Sequence, residues 1–429
     1  MRQALARLDP GAALAIFRTV SGLSQQDVAE IMGWSQSAVS LIEKGKRDTL
    51  FDVRELLHFA DMVEMPRAAL APLLAGQPGA SLDDDGLEEL SGGDEENVDR
   101  RSFGGFAAGA AAAAMLPETT VPSRVTASHI RYLRICVDSL YSQDQVVGGA
   151  MLLQQAVRHW RRARRMLDES DYSEAVGRDL LRVTGALAVC AGWLAFDAGN
   201  LPLSRRLYGE AHLLIDGAED PLLATHVLEK LSMLSAFKAR TGPSRVPARE
   251  AMALAERAAA EARRMPLPRV QALVALRRAT AASLLGDKTE FQAATDEARR
   301  DLDRGPRDED PEWVKFVDAF EVKGQEAMGH LNLGAPGTSS ALHRESLDTP
   351  DLAIRNRLCG QAQLAAALVV EGDVLSAVAE GTVALSALQS GVTSVRALNE
   401  LYPVRQAAAK INAEEFCARF DAVQRALTT

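Results

Sequence analysis

The sequence predicts an all-α protein in three parts: an N-terminal five-helix domain, an acidic flexible linker, and a long C-terminal array of helical hairpins. Three observations carry this. Aromatic residues make up only 5% of the 429 while alanine is abundant, which favours closely packed helices over sheets. Near the N-terminus, two short amphipathic stretches, each with its own start signal, are joined by a glycine. From Ser128 onward, long helical stretches alternate with glycine turns. A hydrophobic share of 47% and a charged share of 25% are those of a globular chain, and the length allows two or three domains.

The first element to justify is the run "LSQQDVAEIMGWSQSAVSLIEKGKR", Leu23 to Arg47. Ser24 followed three residues later by Asp27 is a capping-box pattern, so a helix starts there. Val28, Ile31 and Met32 give it one apolar face, and Ala29 is small enough for a second helix to cross closely. Gly33 can take the left-handed conformation that ends the helix. Ser35 then caps a second helix that buries Ala38, Val39 and Ile42. Two short helices joined by a glycine-containing turn form a helix-turn-helix. Flanking helices fall at Ala12 to Val20, Phe51 to Met62 and Arg67 to Leu74, closing a domain over residues 1–76. Trp34, at the turn, reads as a packing residue.

These residues resemble the Cro/C1-type helix-turn-helix family, also called the XRE family, over roughly Leu14 to Leu74. The resemblance implies a domain that binds double-stranded DNA, with the second helix of the motif in the major groove. The family's base-reading positions fall on Gln36, Ser37 and Ser40, with Leu41 at the outer edge. An amide can pair bidentately with adenine, hydroxyls are adaptable, and a leucine suits a thymine methyl. The family's phosphate-contacting Gln falls on Gln25, with Ser35 beside it, and Lys44, Lys46 and Arg47 leave the end of the second helix where they could clamp phosphates. One departure is that many relatives carry an arginine within the recognition helix and this chain has none. Charges over Met1 to Ala75 nearly balance, which implies weak non-specific binding.

Residues 77–125 read as linker and connector. Between Gln77 and Asp99 lie nine acids and no Lys or Arg, which accounts for all but one of the ten net negative charges. Like charges with Gly, Ser and Pro cannot bury enough apolar surface to offset ordering entropy, so this is a tether; an acidic mimic competing with DNA is the alternative. "RRSFGGFAAGAAAAAML", Arg100 to Leu116, has the outline of a twin-arginine export signal but lies inside the chain. Its alanines favour a short apolar helix that packs on the C-terminal domain or on a dimer mate, ended by Pro117.

From residue 126 to 429 the hairpins "GWLAFDAGNLPLSRRLYGEA", "TAASLLGDKTEFQAATDEA" and "ALVVEGDVLSAVAEGTVAL" share one plan, with turn glycines at 199, 242, 286, 334 and 372. The spacing is longer than the 34 residues of a tetratricopeptide repeat, yet the small residues and hairpins resemble that family with extended helices. The resemblance implies a TPR-like α-solenoid that senses an effector and dimerises. "RHWRRARR", Arg158 to Arg165, reads as a solvated basic face, with docking of an acidic peptide or phosphate as the alternative. Trp193, Phe196, Asp197, Asn200 and Tyr208 read as repeat packing.

Together the two resemblances imply a transcriptional regulator whose helical domain responds to a peptide, a small molecule or a protein partner. A non-catalytic adaptor acting through protein contacts is the alternative. No catalytic motif, cofactor or metal is expected: the seven histidines are scattered, and Cys136, Cys190, Cys359 and Cys417 show no CxxC pair. No run approaches the roughly 20 apolar residues of a membrane span, and the N-terminus lacks a signal-peptide core, so a cytoplasmic protein is the expectation; a homodimer is expected because a single helix-turn-helix reaches few bases.

Overall fold

The computed structural model describes residues 9–63, 121–350 and 352–428, together with Ala4, Arg7 and Leu70. Among these residues every regular element is a helix, apart from an isolated parallel bridge between Arg124 and Asp171. The chain folds as two compact units. The first comprises Met1–Ile135 with Asp168–Val176, the second Cys136–Leu167 with Gly177–Thr429. The linker of residues 77–99, the Arg100–Leu116 stretch and most of the expected fifth helix at Arg67–Leu74 lie outside the described residues.

In the first unit, α1 (Pro10–Val20) is capped by Asp9, α2 (Gln25–Met32) by Ser24 and α3 (Gln36–Glu43) by Ser35. A 3-10 turn (Thr49–Phe51) leads into α4 (Val53–Met62), capped by Asp52. Both bonds of the capping box form: Ser24 N–H donates to Asp27 and Asp27 N–H donates to the Ser24 hydroxyl. Leu14, Val28, Val39, Ile42, Leu50 and Phe59 close the core, all almost fully buried. Ala29 is buried as expected, but the tightest crossing belongs to Gly11, where a Cβ would stand 2.2 Å from the Ile42 carbonyl oxygen.

This unit also takes in the start of α5 (Ala127–Val147), so residues up to Ile135 pack with the N-terminal helices although the hairpin array begins, by sequence, at residue 126. Ser128 donates to Asp27 at 2.8 Å, Arg131 reaches both Asp27 oxygens at 2.7 Å, and Thr126 donates to Glu30 at 2.9 Å. Tyr132 meets the ring of Phe17 edge-on. The helix-turn-helix is thus clasped on α2 by the first turn and a half of α5.

The later helices are α6 (Gly149–Glu169), α7 (Glu174–Asp197), α8 (Leu201–His212), α9 (Ile215–Ala218), α10 (Pro221–Thr241), α11 (Val246–Ala262), α12 (Pro268–Leu285), α13 (Lys288–Asp303), α14 (Ala319–Asn332), α15 (Pro336–Leu347), α16 (Ile354–Glu371), α17 (Val374–Gln389), α18 (Val395–Glu400), α19 (Tyr402–Lys410) and α20 (Glu414–Thr428). From α10 to α17 successive helices pack into a stack, interrupted between α13 and α14 by a stretch of turns that holds one 3-10 turn (Glu312–Val314). In α11 the buried positions are Ala248, Ala251, Ala255, Ala258 and Ala262, one narrow stripe that lets neighbouring helices approach closely. Gly199, Gly286, Gly334 and Gly372 take positive φ as the turn reading requires, whereas Gly242 is extended. After Gly199, Gly286 and Gly372 the next residue, Asn200, Asp287 or Asp373, caps the following helix.

One expectation needs correction. Helix α7 is long and apolar enough to cross a membrane by composition, although 72% of its apolar window is buried within the fold. The stack also carries contacts between stretches far apart in the chain. Asp197 accepts hydrogen bonds from Gly149 N–H, Arg355, Ser394 and Arg396 at 3.0–3.2 Å, and Thr393 N–H donates to the Val147 carbonyl. The basic stretch at Arg158 divides as an amphipathic helix should: Arg158 and Arg161 are exposed, His159 and Trp160 buried. Burial, with Arg162 and Arg158 nearby, holds the His159 imidazole down at about 3, so it is neutral. The four cysteines are free thiols.

Candidate nucleic-acid interface

Helices α2 and α3 end alike. Gly33 and Gly45 both adopt positive φ. Trp34 N–H returns to the Ala29 carbonyl at 2.8 Å, and Lys46 N–H returns to the Leu41 carbonyl at 2.8 Å. Each is the six-to-one bond of a Schellman closure, and it fixes the backbone of Lys46 to the last turn of α3. Trp34 then donates its indole N–H to Glu55 at 3.0 Å, tying the turn to α4 in the packing role its sequence context suggests.

With Ala38, Val39 and Ile42 buried, the opposite face of α3 carries Gln36, Ser37 and Leu41 exposed and Ser40 half-buried. Lys44, Lys46 and Arg47 are exposed where the chain leaves the helix. The four expected base-reading positions and the three cations are therefore all at least partly open to solvent on α3 and at its exit. Ser35 is exposed but engaged: it accepts from Ala38 N–H at 3.2 Å and lies 3.0 Å from the Ser37 hydroxyl. Gln25 is half-buried and donates to Glu43 at 2.8 Å; Glu43 also holds Arg18 at 2.5 Å. Contact of Gln25 with a phosphate would thus compete with an internal bond, a feature that the linear sequence does not display.

The second unit contains a cavity of about 450 Å³ that the sequence reading missed. Trp193 and Phe196, read as packing residues, line it. Of the others in that group, Tyr208 is fully buried against Gly192, and Asn200 caps α8. Around the Trp193 ring stand Lys230 Nζ at 4.8 Å, Arg355 at 5.1 Å and Arg396 at 5.6 Å, while its indole N–H donates to Asp144 at 2.8 Å. Lys230 and Arg277 pair with Glu229 at 3.0 and 2.9 Å. Burial raises the Asp144 carboxyl above its ordinary range despite Arg355 nearby. Asp197 is also buried, but Arg355 and Arg396 outweigh that and hold its carboxyl low. The signal available in the sequence was charge on faces marked as core by their neighbours, such as "VLEKL" in α10.

Residues 11–73 match the helix-turn-helix domain family. No tetratricopeptide family matches the helical stack. The chain finds no match among curated proteins.

Proposed function

We propose, from the match of residues 11–73 to the helix-turn-helix domain family, that this chain is a sequence-specific DNA-binding transcriptional regulator acting as a homodimer. In this reading α3 enters the major groove. Gln36, Ser37, Ser40 and Leu41 meet base edges, while Lys44, Lys46 and Arg47, with Gln25 and Ser35, meet phosphates. The observation that carries it is the solvent-facing surface of α3, polar and cation-flanked, on a helix whose other face is fully committed to the core. Two-fold dimers suit such a small reading head, because operators then repeat half-sites about 34 Å apart. The helical stack serves as the tetratricopeptide-like sensor, supported by a cavity large enough for an effector. An effector changes DNA occupancy only through different affinities for the DNA-competent and incompetent states.

Binding the full chain to fragmented genomic DNA and sequencing the retained fragments tests the reading. The expected result is a small set of fragments sharing an inverted repeat. Uniform recovery of all fragments, or none, would overturn it in favour of an adaptor that uses both units for protein contacts.

A further inference from the structure

The cavity of the second unit has the build of a ligand site. Its volume of about 450 Å³ falls within the range of roughly 300–1,000 Å³ typical of small-molecule pockets, and is small for an extended peptide. Its walls gather Trp193, Phe196, Phe237, Trp313, Phe316 and Phe320 in a chain that is only 5% aromatic.

The charges are layered. Lys230, Arg277, Arg355 and Arg396 line the cavity, whereas Asp197 and Glu229, which neutralise them, do not. Each carboxylate that does line it has another task. Asp144 accepts from Trp193 and pairs with Arg355 at 3.7 Å, Glu312 pairs with Lys315, Asp318 caps α14, and Glu321 accepts from Gln325. An incoming group therefore meets donors first.

Two further features point to an occupant. His343 lines the cavity, is fully buried, and neither ring nitrogen has a hydrogen-bond partner. Such groups are costly to leave unsatisfied. Gly324 lies mid-helix in α14 on the cavity wall, and a Cβ there would meet nothing within 4 Å. Packing does not require glycine at that position, and glycine weakens a helix by about 1 kcal/mol relative to alanine. What its missing side chain preserves is open space.

We propose that this cavity binds a small organic anion with a flat aromatic body. The body lies among Trp193, Phe237 and Trp313, and a carboxylate-like or sulfonate-like group is directed at Lys230, Arg355 and Arg396. This names the effector class of the reading above, and rests on that reading for any consequence at DNA.

The test uses full-length protein without DNA and two fluorescent probes that share one body: 8-anilinonaphthalene-1-sulfonate, and N-phenyl-1-naphthylamine, which lacks the anionic group. The expected result is saturable one-to-one binding of the sulfonate and at least about tenfold weaker binding of the neutral probe, the loss expected when hydrogen bonds to charged groups go unmade. Gly324→Leu should abolish sulfonate binding while the melting temperature holds or rises. Lys230→Met, where it folds by circular dichroism, should weaken the sulfonate about tenfold and leave the neutral probe unchanged. Equal affinity for the two probes, no binding of the sulfonate, or undiminished binding by Gly324→Leu would overturn the proposal. Adding the sulfonate to the DNA-fragment assay separates the two readings. Intact binding with unchanged DNA affinity sinks the sensor role and leaves the cavity's ligand class standing.

Discussion

Asp27 holds three partners at once: the Ser24 cap of its own helix, the Ser128 hydroxyl and the Arg131 guanidinium. Burial works to raise its pKa, and the bonds from Ser24 and Ser128 together with Arg131 outweigh burial, leaving the carboxyl below its ordinary 3.8. A depressed carboxyl stabilises the fold above its unfolded pKa, and that contribution is lost as pH falls through the folded value. Asp27→Asn should therefore destabilise the first unit by about 1.5–3 kcal/mol at pH 7. Melting curves recorded down to pH 3 should show the gap from the parent protein narrowing below 3.8. Residues of the α3 surface should divide by role. With Lys44, Lys46 and Arg47 on both subunits, log affinity should fall against log salt with a slope of about −5. Lys46→Ala should weaken all sequences alike and flatten that slope by about two, since a dimer loses two contacts at about 0.9 each. Gln36→Ala should cost roughly 1–3 kcal/mol per half-site at one base pair and relax preference there. Titrations across salt and across single-base operator variants check both, and loss of specificity in Lys46→Ala alone would misplace the reading helix.

Among elements, the two helices of the motif were readable from their sequence because every local signal agreed: Ser24 with Asp27, Gly33, Ser35, and the apolar spacing of Ala38, Val39 and Ile42. The turn glycines followed by Asn or Asp were readable for the same reason, since a left-handed stop and a capping side chain are both local. What local signals could not show was long-range pairing. Gln25 bonds Glu43 across 18 residues, Asp27 bonds Arg131 across 104, and the aromatic walls of the cavity come from segments far apart in sequence. Trp193 has one apolar setting in the chain whether it packs a repeat or walls a pocket. Helix α14 gives a test at this scale, because its two glycines should respond oppositely. A Cβ on Gly329 would stand 2.1 Å from the buried Phe291 ring of α13, so Gly329→Ala should lose about 1–3 kcal/mol through overpacking. Gly324→Ala meets open space and should gain about 0.5–1 kcal/mol from helix propensity. Urea unfolding of the pair decides it; equal signs would mean that α13 and α14 do not approach as described.

For the whole molecule, assembly is the first measurable consequence. Light scattering at micromolar concentration should report a dimer, and a strict monomer with and without DNA would remove the two-fold operator model. The second consequence comes from Asp197. Linear helical arrays fray, since an end repeat has one neighbour and opens at little expense. Here the turn at Gly149 and the segment around Ser394 and Arg396 share one buried carboxylate across 48, 197 and 199 residues. Opening the Ser394–Arg396 segment breaks the buried Arg396–Asp197 pair, a loss of about 3–5 kcal/mol, and opening the Gly149 turn takes a hydrogen bond from the same carboxylate. The amide protons of these two distant stretches should accordingly exchange with solvent in step, through one shared opening event. In Asp197→Asn the same protons should become uncoupled, each region breathing at its own rate while the middle of the stack stays shut.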